Sequence, residues 1–184
     1  MGSIVETAIE TLYEAHIPLG PGLTTDEIAD VEQQFGIKFS PDHAGLLSLA
    51  TPLGPKWVDW LGEPDGIRQR LSWPLEGVLF DVEQNAFWPD EWGERPGETA
   101  TALQAAREHM QFVPTLIPIY SHRFLPGAPS PTGSPVFSVY QTDVIYYGSD
   151  LAAYFAAEFF REPDVKLPTY RVDFWSDLAE GRWV

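Results

Sequence analysis

Ile4, Val5, Ala8, Ile9, Leu12 and Tyr13 recur at helical spacing, with Glu6, Glu10 and Glu14 on the opposite side, so the pattern predicts an opening amphipathic helix. Pro18, Gly20, Pro21 and Gly22 end it. Thr24 and Glu27 have the spacing of a capping box, and Ile28, Val31 and Phe35 supply the buried stripe of a second helix that Gly36 stops. Ser40 and Pro41 suit the N-cap and first turn of a third helix containing Leu46 and Leu47. Leu75, Val78, Leu79 and Val82 predict a further short helix, and Leu103, Ala106 and Met110 another. Between these lie two loops rich in Pro, Gly and tryptophan. Thr51 to Gly66 carries Trp57 and Trp60, and Trp88 to Pro96 carries Trp92; such aromatic anchors oppose disorder.

After Pro114 the period changes. Thr115 to Tyr120, Pro135 to Tyr140 and Val144 to Tyr147 are short β-branched and aromatic runs bounded by turn residues, which predicts strands. Gln141, Thr142 and Asp143 form a connection of hairpin length between the last two. Arg123 and Asp143 are the only charges from 114 to 147, so this stretch is the expected buried sheet. Asp150 can cap a helix displaying Leu151, Tyr154, Phe155 and Phe159, and Phe174, Trp175 and Leu178 are expected to fold a tail back onto the body. The expected class is α+β, a single domain whose central antiparallel sheet is packed with helices. Within it, residues 1–22 form a leading helix and linker, 23–160 the main α+β body, and 161–184 the tail.

Composition narrows the chemistry. In 184 residues, 44% are hydrophobic and 14% aromatic, enough for a substantial core. The absence of cysteine excludes disulfides, thiolate metal sites and cysteine nucleophiles. Eleven Lys and Arg against 27 Asp and Glu give a net charge of −16, which repels nucleic acid and anionic membranes. Met1 to Pro18 has no Lys or Arg, unlike a signal peptide, and no run approaches the roughly 18 apolar residues that span a bilayer. A soluble, cytoplasmic protein is expected. The acidity is uneven: residues 99–149 hold two acids and two bases, whereas the first 98 residues carry −13 of the −16. Two explanations stand side by side, a solvated face and a field that steers a basic protein partner.

Traces of catalysis are sparse. His16, His43, His109 and His122 have no metal-ligand spacing and are expected on the surface or at caps. Ser121 and His122 are adjacent, and neighbours on a strand point to opposite faces, so they are not expected to meet. There is no Gly-x-Ser-x-Gly elbow and no Walker loop, and Pro21 deprives Gly20-Pro21-Gly22 of an amide donor. Asp59 with Glu63 and Asp65, or Asp90 with Glu91 and Glu94, placed beside tryptophan could serve glycoside hydrolysis, although acids next to Pro and Gly are more often turn formers. Trp57, Trp60, Trp73, Trp88 and Trp92 can roof a small core or anchor an interface. The interface reading favours Trp88, Asp90, Glu91, Trp92 and Glu94, with Trp57, Asp59 and Trp60 as the second candidate. No catalytic residue, metal ligand or cofactor site is assigned.

The order of these motifs resembles the SUKH superfamily, named for fungal cell-wall-synthesis regulators and their bacterial relatives. The resemblance lies in Leu23-Thr24-Thr25-Asp26-Glu27-Ile28, Val31-Glu32, Phe35-Gly36-Ile37, Ser40-Pro41-Asp42-His43 and Leu46-Leu47. Trp88 to Pro96 looks like the Trp-Gly-x-Arg-Pro loop of bacterial members, and Pro135 to Leu151 looks like their hairpin and following helix. It covers roughly residues 23–160, and His43 departs from it by standing at a usually aromatic position. What the resemblance implies is an α+β domain that acts by binding. Many bacterial members are immunity proteins that neutralise a cognate toxin, often a nuclease, and such toxins are usually basic. The expected function is therefore toxin neutralisation, without catalysis, through an acidic and aromatic surface. The alternative is a housekeeping interaction or cell-wall-regulatory scaffold. Oligomeric state is not legible.

Overall fold

The computed structural model describes residues 2–161 and 166–182; residues 162–165 and 183–184 of the expected tail, and Met1, lie outside the described residues. Helix starts follow local chemistry. In α1 (Ile4–Glu14), Ser3 Oγ accepts from the Glu6 amide at 3.2 Å while the Glu6 carboxylate accepts from the Ser3 amide at 2.7 Å. The same reciprocal pair, Thr24 with Glu27, opens α2 (Thr25–Phe35), and Gly36 closes it at φ 65°, where a side chain would be strained. Pro41 begins α3 (Pro41–Leu49), but the Ser40 hydroxyl makes no capping bond. A short antiparallel pair, β1 (Leu19–Pro21) with β2 (Ala50–Pro52), ties the chain before α2 to the chain after α3.

The next helix is longer than its periodicity predicts. α4 runs from Pro64 to Gln84 and passes through Pro74. An interior proline lacks an amide donor and costs about 3 kcal/mol in an isolated helix. Here Pro74 is buried, and Ile67, Val78, Leu79 and Val82 are buried along the same helix, so packing offsets that cost. A single 3-10 turn (Asp90–Trp92) and α5 (Thr99–Met110) follow.

Four strands, β3 (Leu116–Tyr120), β4 (Arg123–Pro126), β5 (Val136–Tyr140) and β6 (Asp143–Gly148), form an antiparallel sheet in chain order. The strand pattern does not predict β4. It is four residues long, begins with a charge and ends with a proline, yet all four residues are buried. The β5–β6 connection is tighter than expected: Asp143 lies in β6 opposite Tyr140, leaving a two-residue turn with Gln141 at φ 57°. α6 (Leu151–Phe160) is capped by Asp150, whose carboxylate accepts from the Ala153 amide at 2.9 Å, and α7 (Trp175–Ala179) follows.

Both faces of the sheet carry packed helices, and β3 and β4 are almost wholly buried, whereas Tyr140, Asp143 and Ile145 of β5 and β6 remain exposed. Phe124, Phe137 and Val139 pack with Val78 and Val82 of α4, Ala102 and Ala106 of α5, and Trp175 and Leu178 of α7. Leu125, Val136 and Ile119 pack with Ala8 and Leu12 of α1 and Leu151, Tyr154 and Phe155 of α6. A third cluster joins Val31, Phe39, Leu47, Trp60 and Ile67 around Ile117. The protein is thus α+β, with helices on both sides of an antiparallel sheet. Among the described residues, no helix is long and apolar enough to cross a membrane.

Two features position α4 against the β5–β6 turn. A Cβ built on Gly77 would stand 2.7 Å from the Gln141 Cα, so glycine permits the close approach. One turn further on, the buried Asp81 carboxylate accepts from the Thr142 amide at 2.9 Å, the Thr142 hydroxyl and the Asn85 side-chain amide.

Candidate functional site

The tryptophans of the first loop are core residues. Trp57 is 8% exposed and packs on Tyr120 (4.7 Å between ring centroids), Phe155 and Phe159. Trp60 is 4% exposed and stands edge-on to Phe39 at 4.9 Å. Their expected role as surface anchors is corrected accordingly: the loop turns both indoles inward, with Trp57 bridged to Tyr120 at the end of β3. Asp59 alone of this set remains exposed, accepting from the Leu61 amide at 3.3 Å. Beside it lies a hollow of about 340 Å³ lined by residues that include Leu53, Leu61 and the edges of both indoles.

The second loop is built differently. Trp92 stacks on His109 of α5 and on Phe174 before α7, at centroid distances of 5.1 and 6.0 Å with planes 2° from parallel in both cases. Trp88 meets it edge-to-face at 5.2 Å and donates its indole N–H to the Gly93 carbonyl at 2.9 Å. Arg95 is turned inward, donating to the Val82 carbonyl at 3.1 Å. These contacts fix a half-buried aromatic platform from which Asp90, Glu91 and Glu94 project into solvent. Among the described residues no cation lies within ion-pair distance of the three carboxylates. Glu83 and Glu98, both exposed, flank the loop in sequence. The ring packing ties the backbone of the loop to α5 and to the segment before α7 and leaves the three carboxylates at the surface.

His16 is exposed just after α1, as expected, whereas two other histidines depart from expectation. His43 is fully buried between Phe39 and Trp60, and burial pushes its imidazole down to about 3. Ser121 and His122 do meet. They form the turn between β3 and β4, not consecutive strand positions, and with Ser121 at φ 51° its Oγ lies 3.2 Å from His122 Nδ1. Burial, then the neighbouring Arg123, pushes the His122 imidazole below its ordinary range. Arg123 is itself buried, 3.3 Å from a Glu158 oxygen and 3.7 Å above the Tyr147 ring centroid.

The Ser121–His122 pair borders a cleft that sequence patterning does not reveal. Trp73, counted among residues able to roof the core, is 42% exposed and lines this cleft with Tyr140. The signal available was the Trp73-Pro74 step, where a proline inside a helix marks a special position. Among the described residues no three His, Asp or Glu side chains converge to hold a metal ion. Compared with family models, curated proteins and solved structures, the chain finds no match.

Proposed function

We propose that this protein is a binding protein of the immunity type, which engages a basic protein partner through the edge formed by Asp90, Glu91 and Glu94 on the Trp88–Trp92 platform. The observation that carries the reading is three exposed carboxylates, unpaired among the described residues, on a loop held rigid by the His109–Trp92–Phe174 stack. A loop packed through its rings lowers the backbone ordering penalty of binding, and the net charge of −16 adds long-range attraction for a cationic surface. The sequence resemblance to immunity proteins points the same way. Trp57 and Trp60 have no part in this surface, and Asp59 contributes at most a separate charge.

The test is co-expression with the protein encoded by the neighbouring gene. Rescue of growth and co-purification support neutralisation of a toxin. A harmless neighbour that nevertheless co-purifies through this edge favours the scaffold alternative. Failure of Asp90, Glu91 and Glu94 substitutions to alter any complex formed removes the loop from the interface.

A further inference from the structure

The cleft beside Ser121 and His122 has a volume of about 430 Å³, within the range of small-molecule sites. Its charge is opposite to that of the protein. Lys56 and Arg70 both line it, and no carboxylate among the described residues pairs with either, although Lys38, Arg68, Arg123, Arg171 and Arg182 all have acidic partners. The Lys56 ammonium lies 5.5 Å from the Tyr120 ring centroid, while the Arg70 guanidinium donates to the Lys56 and Pro55 backbone carbonyls at 2.8 and 3.0 Å. These bonds occupy two of its five N–H groups. The Ser121 amide donates to the same Lys56 carbonyl at 2.8 Å, which locks the loop, α4 and the β3–β4 turn together.

Two rings also line the cleft. Trp73 and Tyr140 are 6.4 Å apart, the indole N–H donating to the Val139 carbonyl at 3.3 Å, and Tyr140 is 59% exposed. The close approach at Gly77 and the Asp81–Thr142 bonds keep the Tyr140 turn against α4. Burial pushes the Arg70 guanidinium down from its ordinary range, so an anion at its remaining N–H groups stabilises the charged form. With Lys56 and Arg70 both lining the cleft, a dianion balances both cations, while a single carboxylate balances only one.

We propose that this cleft binds a small phosphate monoester bearing a planar ring, of mononucleotide size, with the phosphate at Lys56, Arg70 and Ser121 and the ring against Trp73 and Tyr140. The overall acidity still disfavours polynucleotides, whose many phosphates would lie outside the cleft over acidic surface. The site is separate from the Trp88–Glu94 edge, so either assignment can fail alone.

Titration of the full chain with uridine 5′-monophosphate and phenyl phosphate, followed by nuclear magnetic resonance, tests it. Both should bind, with inorganic phosphate and uridine each at least about tenfold weaker, because each half-ligand forfeits one set of contacts. Lys56→Gln should weaken the monoesters about tenfold and leave uridine unchanged. Tyr140→Ala should weaken the monoesters and leave inorganic phosphate unchanged. Both side chains are exposed, so unchanged unfolding temperatures will show that the fold is intact. The assignment is overturned by no monoester binding up to about 10 mM, by binding indifferent to both substitutions, or by benzoate binding as tightly as phenyl phosphate.

Discussion

Gly77→Ala decides whether the contact between α4 and the β5–β6 turn is as tight as described. In an open helix interior, replacing glycine by alanine stabilises by about 1 kcal/mol. At Gly77 the added methyl would sit 2.7 Å from the Gln141 Cα and 3.1 Å from its amide nitrogen. Those are backbone atoms in a two-residue turn anchored at Thr142 by Asp81, so they cannot swing aside as a side-chain tip would. Overpacking of this kind costs about 1–3 kcal/mol, and the upper half of that range applies to backbone obstacles. The propensity gain subtracts about 1 kcal/mol, leaving a net loss of about 1–2 kcal/mol. For a chain of this size that is a fall of roughly 3–6 °C in Tm. Gly66 is the internal control: it lies in the same helix, and a methyl added there would have no neighbour within 4 Å, so Gly66→Ala should raise stability by about 0.5–1 kcal/mol. Urea unfolding followed by circular dichroism, with calorimetry for Tm, measures both. If Gly77→Ala is as stable as the parent or more so, the helix and the turn have slack and the geometric reasoning is wrong.

Three other outcomes are expected. His43 has a folded-state value of about 3 against 6.5 when exposed, so on acidification the unfolded chain takes up its proton first; its contribution to stability is complete above about pH 6.5 and is lost as pH falls toward 3, amounting to about 2 kcal/mol by pH 5. Burial raises the nearby Asp42 carboxyl, which acts in the opposite direction, so the comparison is between the parent and His43→Leu at pH 7 and pH 5; parallel losses in the two proteins would sink the idea. Converting Asp90, Glu91 and Glu94 to their amides should slow association with a basic partner about tenfold at low salt, the difference shrinking as salt is added; stopped-flow rates that do not change exclude the loop. Glu158→Ala should cost about 3 kcal/mol because it leaves the buried Arg123 without its countercharge, and a loss under about 1 kcal/mol in urea would mean that Tyr147 and Ser138 alone satisfy the guanidinium.

Local chemistry was legible and burial depth was not. Thr24 with Glu27, Gly36, and Asp150 with Ala153 act within three or four residues of themselves, so spacing alone locates the helix ends. Pro74 misleads because local rules make proline a stop, whereas the buried residues on both sides of it carry the helix through. β4 escapes notice because its burial comes from elements on both faces of the sheet, not from its own four residues. The same holds for the tryptophans. Apart from the proline that follows Trp73, little local distinguishes Trp57, which faces Tyr120 and Phe155, from Trp73, which faces a cleft assembled from segments nearly seventy residues apart. Ser121 is a related case: a positive φ at serine brings its hydroxyl to His122, and no glycine or asparagine advertises the turn.

The stack of His109, Trp92 and Phe174 has a dynamic consequence. Trp92 is one plate of a three-part clamp whose other plates belong to α5 and to the segment that precedes Trp175, itself anchored by an indole bond to the Pro114 carbonyl at 2.7 Å. Opening of the acidic loop and of the segment before α7 is therefore expected to be coupled: releasing Phe174 removes a ring contact of Trp92, and releasing Trp92 removes one from Phe174. A partner that grips the loop will slow hydrogen exchange at residues 172–178 without touching them, and a substitution in α7 will be felt as a faster off-rate at a surface on the other side of the clamp.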